Sequence, residues 1–549
     1  MKHLFTFLLA NSPISYPGNL HTALIEFIKA IPSVQKVNLT VKLSLIIWLF
    51  WLLQKSNYKP SLRNLFLLTC ALIILIFRLP YTLLPEQNLD ESVYIAGTGV
   101  LLNDPRIWQS FDCLTVGPLN SYFLSLSYWL FGSVNYTTIR IVGILFCYIP
   151  SLICLFFSVK YLYNVRLAYS ITALYALFCA SLTLFDFTGY SSELIPHLLL
   201  SIELLCFSAV LSGRSFRYAY GLCLVAGLMP YAKLQGVLMA GIIVLFLFIE
   251  VRKQLSVQKA VALITCGLAP TALLSIYLAV HSLFIDFIYS YLLFNAEYSG
   301  SLSDMKWWLV PNLIVDSPDI SPFCLSIVLI LAIGLASLLI KGVPFQRKLI
   351  VYCTLLLAVI WYSVIKPGQS FNHYLVFFFF PFFWSLSIVL GEFLNQTPQR
   401  YSLLLITIFS LFAAFTVWPL RTKNTGIEYA LHFSYQPDPL VATVQKLARP
   451  TDRMSIWGHG NLAHLYCYTS LLPGTRDVFA SRQINPSSLQ SYFILRYAAD
   501  LHQNHPRFIL EDDRYEPYQI RLETVFPDLN RTYHLQARNG SINIYIRND

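Results

Sequence analysis

The chain is a succession of long apolar runs, and its lysines and arginines fall in short clusters between them. An apolar run of about 20 residues suits a helix crossing a bilayer, where the backbone must satisfy its own hydrogen bonds and the side chains face hydrocarbon. Composition agrees: 56% of the 549 residues are hydrophobic, 12% are charged and the mean hydropathy is +0.59. This is a polytopic membrane protein. The net charge of +10 does not indicate a nucleic-acid partner, because the basic clusters sit where orientation in a membrane puts them. The 11 cysteines lie mostly inside apolar runs, as Cys70, Cys147, Cys154, Cys179, Cys206 and Cys266 do, with no CxxC spacing. They read as buried small hydrophobes and not as a disulfide framework or a zinc site. The opening MKHLFTFLLANSP has too short an apolar core for a cleaved leader.

The basic clusters set the topology. Residues 21–34 suggest an amphipathic interfacial helix, and residues 41–53 are apolar but short. Residues 1–60 therefore form an N-terminal segment that lies on the membrane or adds a span. The first firm span, 62–84, follows Lys55, Lys59 and Arg63, so it starts in the cytoplasm and leaves Asp90 and Glu91 outside. Runs at 138–159, 167–185, 194–211, 218–231, 237–248, 261–280, 322–340, 349–365, 376–390 and 401–420 then alternate in direction. Every basic cluster lands inside, which gives a helical domain over 61–420 with about 11 spans. The first outer loop, 85–137, carries a juxtamembrane helix at 118–131. Residues 421–549 turn polar and lie outside. Their pattern predicts a small α/β domain with strands at 453–457, 507–511 and 542–547 and a helix at 487–502. Gly458-His459-Gly460 reads as a tight turn, since the rest of a dinucleotide fingerprint is missing.

This topology gathers the polar residues on one side. Asp90, Glu91, Arg106, Asp112, Asp186, Glu193, Lys233, His281, Glu297, Lys306, Lys366 and His373 all fall at outer ends of spans or in outer loops. Lys233 sits in a nearly apolar hairpin, where a snorkelling lysine is the structural alternative. Lys366, His373 and Tyr374 bracket an outer turn and suggest an anion site, while Asp186 and Glu193 bracket another. Carboxylates facing several cations at a membrane surface suit group transfer from a lipid phosphate. The cations stabilise the leaving phosphate and a carboxylate takes the proton of an incoming hydroxyl.

In order, the chain shows Asp90-Glu91, then the proline-led run Gly117-Pro118-Leu119-Asn120-Ser121-Tyr122-Phe123 ending in Phe131-Gly132, then Arg140 entering a span. This order resembles the dolichyl-phosphate-mannose protein mannosyltransferases and the aminoarabinose transferases that modify lipid A. Ala232-Lys233-Leu234-Gln235 and Phe371-Asn372-His373-Tyr374 look like stretches of bacterial members. The resemblance covers residues 62–400. It implies the GT-C fold, a bacterial inner-membrane location and inverting sugar transfer from a polyprenyl-phosphate carrier to a lipid, polysaccharide or protein acceptor. It further implies Asp90 as the base, with Glu91 as its partner in orienting substrate. The chain departs from the pattern where many relatives carry a lysine against the lipid phosphate, since Val116-Gly117 precedes Pro118 here. The phosphate cation is then expected from Lys233, Lys366 or Arg106, in that order. Some GT-C enzymes use a divalent cation, but no ligand cluster here requires one. A glycan polymerase or ligase, or a lipid-linked sugar transporter, is the alternative. A transporter predicts charges through the membrane midplane.

Overall fold

The computed structural model describes residues 12–56, 62–300, 305–321, 328, 332, 344–396, 425–434, 438–449, 451–516 and 519–548. An interfacial helix α1 (Asn19–Ala30) precedes α2 (Val34–Lys55), the first of 8 described helices long and apolar enough to cross a membrane. Residues 41–53 looked too short to span, but the helix begins about two turns earlier and carries Lys36 and Lys42 inside it. After α3 (Arg63–Thr82) come two helices of the first connecting loop, α4 (Leu89–Asn103) and α5 (Pro118–Phe131). Next come α6 (Tyr136–Leu162), the shorter α7 (Val165–Ser181), α8 (Leu194–Leu211) and α9 (Arg217–Ala232). The spans α10 (Leu234–Gln254) and α11 (Val257–His281) follow, and then a continuous helical stretch α12, residues 284–298. The last described spans are α13 (Lys348–Ile365) and α14 (Asn372–Glu392). The expected spans at 322–340, apart from residues 328 and 332, and at 401–420 lie outside the described residues. α14 is the heart of the bundle, with 94% of its apolar window buried.

Local signals fix the loop helices. The Asn88 side chain accepts from Asp90 N at 2.9 Å and caps α4. Pro118 starts α5, and Gly132 ends it with φ of 73°. Asn135 and Thr138 form a reciprocal capping box at the start of α6. α5 is then pinned to α9, because Gly117 N donates to Ala232 O at 3.0 Å. A Cβ at Gly117 would come within 2.1 Å of the Tyr231 carbonyl oxygen, so the contact requires glycine.

The polar C-terminal part builds a five-stranded sheet from β1 (Arg453–Trp457), β2 (Leu472–Pro473), β3 (Phe508–Asp512), β4 (Tyr533–Asn539) and β5 (Ile542–Arg547). Its order is β2-β1-β3-β5-β4. β2, β1 and β3 run parallel, while β5 is antiparallel to both β3 and β4. The expected strands at 453–457 and 542–547 are observed, and the expected helix at 487–502 is Gln490–Asn504.

Buried charge binds this domain to the loops. Asp112 lies 2.6 Å from Arg496 and 2.8 Å from Arg482, and both arginines also pair with Asp477. Burial alone would raise the Asp112 carboxyl, but the two guanidinium groups outweigh it and hold the group well below the carboxylate range. Asp286 of α12 accepts from Arg476 at 3.2 Å and from Tyr492 at 2.7 Å. Ser488 N donates to Glu297 at 3.0 Å. Loop 1 and α12 are thereby clamped to the sheet domain.

Candidate active site

Asp90 and Glu91 are adjacent in sequence but differ in fate. Glu91 is fully buried and accepts Arg140 Nε at 2.8 Å and Nη2 at 2.5 Å. It also takes the N–H groups of Tyr190 (2.6 Å) and Gln87 (3.0 Å). Arg140 spends its remaining donors on the carbonyls that end α3, including Leu84 at 2.5 Å and Pro85 at 2.7 Å. The pair therefore ties α4 to α6 and α3. This places Glu91 in a buried ion pair one residue from the exposed Asp90.

Asp90 is exposed and sits in the first turn of α4, where the free N–H groups favour a negative charge. Tyr94, one turn on, donates to its Oδ2 at 3.4 Å. Solvent reaches the Asp90 carboxyl, yet the surrounding protein strips away much of its water and pushes it above the ordinary carboxylate range. The nearby His373 and Lys233 pull the other way without cancelling this.

Four of the other expected residues meet beside Asp90. Lys233 is nine-tenths buried, pairs with Glu193 and donates to Ser192 Oγ at 2.9 Å. Burial opposes ionisation of Glu193, but the Lys233 ammonium prevails and holds the carboxyl below its usual range. His373 bridges two carboxylates, with Nδ1 at 3.3 Å from Asp186 and Nε2 at 3.9 Å from Glu193. Asn88 donates to the same Asp186 oxygen at 3.0 Å, which links the cap of α4 to the cluster.

Tyr374 stands over Lys233, its ring centroid 5.1 Å from Nζ. Both residues line a cavity of about 290 Å³ together with Lys366, Gln235, Asn295 and Tyr298. Lys366 donates to the carbonyls of Ser299 (3.1 Å) and Gly300 (2.8 Å). It has no carboxylate partner among the described residues, so its charge is solvated by dipoles but not neutralised.

Arg106 is not part of this group. Its guanidinium is held by Asp104 through two 2.7 Å hydrogen bonds at the surface. Asp112 and Glu297 serve the domain junction, Lys306 lies over Trp308 and His281 packs on Tyr277. Sequence reasoning missed Asn88, Tyr94, Ser192 and Tyr298. Asn88 was detectable as a helix cap two residues before Asp90, whereas the others become visible only when separate loops meet. Among the described residues no three His, Cys, Asp or Glu converge as metal ligands. The nearest approach to such a set already uses Glu193 on Lys233, so it does not fit a divalent cation.

Residues 115–277 match the family described as dolichyl-phosphate-mannose-protein mannosyltransferase. The fold is similar to the crystal structure of ArnT from Cupriavidus metallidurans bound to undecaprenyl phosphate. That similarity has a TM-score of 0.55 at 12% identity and covers 89% of this chain and 98% of that one. The apo state of the same protein gives a TM-score of 0.54 at 11% identity over 88% and 97% of the two chains. No curated protein sequence matches the chain. The chain therefore has a fold like that of these ArnT structures, the GT-C fold expected from the sequence.

Proposed function

We propose that the protein moves a sugar from a polyprenyl-phosphate carrier to an acceptor hydroxyl on the extracytoplasmic face, with inversion at the anomeric carbon. The acceptor oxygen attacks that carbon and its proton passes to Asp90. The bond from the anomeric carbon to the phosphate oxygen breaks, and the polyprenyl phosphate leaves with the bonding electrons. Asp90 suits the base because it is reached by solvent and its raised affinity for protons improves proton capture. The single observation carrying the reading is that this carboxylate shares one charge cluster with Lys233 and His373, and that the cluster opens through Lys233 and Tyr374 into the cavity holding Lys366.

The order of the phosphate cations changes from the sequence expectation. Glu193 already balances Lys233, so the uncompensated Lys366 is the main contact for the phosphate. Lys233 and His373 orient the carboxylates around it, and Tyr298 and Tyr374 wall the cavity. Undecaprenyl phosphate bound to the ArnT of similar fold supports the carrier class. The reading includes a bacterial plasma membrane with the sheet domain outside.

The test is turnover in nanodiscs with polyprenyl-phosphate hexoses and pentoses, following release of the free lipid phosphate. Turnover with a nucleotide sugar and with no lipid donor would contradict the reading. Tags at Lys348 and at the C-terminus should report opposite sides of the membrane.

A further inference from the structure

A second cavity lies away from Asp90, where the N-terminal segment, the helix Thr425–His432 and the sheet domain meet. Its volume is about 470 Å³, within the range of pre-formed small-molecule sites. The lining combines four aromatic rings, Tyr16, Tyr429, Phe433 and Tyr468, with the polar side chains His432, Ser434, Asp438 and His464. Among the described residues, none of those lining it is Lys or Arg. Lys29, which donates to the Phe433 carbonyl at 3.4 Å, is not among them.

The rings are fixed before any ligand arrives. Tyr16 packs edge-on against Tyr468 at 5.1 Å and against Tyr136 at 5.1 Å, and its hydroxyl meets that of Tyr429 at 3.1 Å. Asp438 is also held, since it caps Pro439–Leu447 by accepting from Leu440 N at 2.7 Å. Tyr136 in turn bonds Ser92 at 2.7 Å, so the cavity is braced against α4 through Ser92, two residues beyond Asp90.

We infer that this cavity binds a neutral saccharide, a site separate from the catalytic cluster. Flat apolar faces match the C–H faces of a sugar ring, and carboxylate, imidazole and hydroxyl groups at their edges match its hydroxyls. With no Lys or Arg among the described lining residues, the described lining suits a neutral ligand better than a phosphate or a carboxylate. The polar fraction of the lining argues against an acyl chain. A glycan-bearing molecule could hold one sugar here while another part of it is near Asp90. The inference does not require the reaction proposed above, since binding alone reports it.

The experiment uses the full chain in nanodiscs and saturation-transfer NMR with methyl hexosides and a neutral disaccharide. Inorganic phosphate and choline serve as controls. The expected result is transfer to ring protons, with at least tenfold weaker binding in Tyr429→Ala and in Tyr468→Ala. Asp438→Asn keeps the helix cap and should weaken binding less. Lys306→Ala, an exposed position outside both cavities, should leave it unchanged. Thermal melts confirm folding. Binding that survives both tyrosine substitutions, no saccharide signal from the folded wild type, or a signal from choline or phosphate alone would each overturn the inference.

Discussion

Gly117 and Tyr231 touch backbone to backbone, so closely that a single methyl group at Gly117 would stand 2.1 Å from the Tyr231 carbonyl oxygen. Two residues beyond Tyr231 is Lys233, the buried cation paired with Glu193 beside Asp90. Val116-Gly117 stand just before Pro118, where the family resemblance led us to expect a phosphate-binding lysine. The glycine instead lets another chain segment approach, and that segment brings its own lysine.

Gly117→Ala should therefore push the 231–233 turn outward. A displacement of about 1 Å at a reacting group costs on the order of 100-fold in rate. We expect a loss of about that size in kcat, together with a lower melting temperature, since overpacking costs about 1–3 kcal/mol. A variant with full activity would show that the close approach is dispensable.

Glu91 and Arg140 should behave as a structural pair. Removing one partner of a buried ion pair costs about 3–5 kcal/mol. Glu91→Ala and Arg140→Ala should each lower the melting temperature in detergent sharply. Joint replacement by leucines should recover part of that loss. A Glu91→Ala protein that melts normally but does not turn over would instead support the substrate-orienting role expected from the sequence.

Lys366 should act on donor binding. A hydrogen bond to a charged group contributes about 1.5–3 kcal/mol, or roughly 10- to 100-fold in binding. Lys366→Ala should raise KM for the polyprenyl-phosphate donor by that factor, and Lys366→Arg should retain much of the affinity. An unchanged KM would reassign the phosphate contact to Lys233.

Glu86 gives a pH prediction. Burial, reinforced by the Glu91 charge and only partly opposed by Ser92, raises its carboxyl to about 7 from an ordinary 4.5. The folded state thus binds the proton more tightly than the unfolded chain, so stability falls as pH rises from 4.5 through 7 and is not penalised below that window. Glu86→Gln should raise the melting temperature at pH 8 and leave it unchanged at pH 4. Equal effects at both pH values would refute the assignment.

The spans were legible because length and apolarity alone specify a membrane helix, and the strands 453–457 and 542–547 were legible from their apolar, β-branched and aromatic content. α4 was not recognised as a helix, since Val93 to Leu101 are buried on every face and leave no amphipathic stripe to detect. The acidic pair was visible, but its division of labour was not. Only the fold places Arg140 against Glu91 across 49 residues, and no local spacing encodes that contact. Likewise Lys366 and Arg106 were both phosphate candidates in sequence, Lys366 ranked ahead without a local reason that decides it. They separate once Asp104 is seen to neutralise one, and only carbonyls are seen to hold the other.

The central claim is that Asp90 takes the acceptor proton, and Asp90→Asn in the reconstituted enzyme tests it most directly. The substitution keeps the shape and the helix turn but removes the base. The account predicts donor binding within about twofold of wild type, a normal melting temperature and a kcat lowered by at least about 100-fold. A folded Asp90→Asn enzyme with wild-type kcat would contradict it.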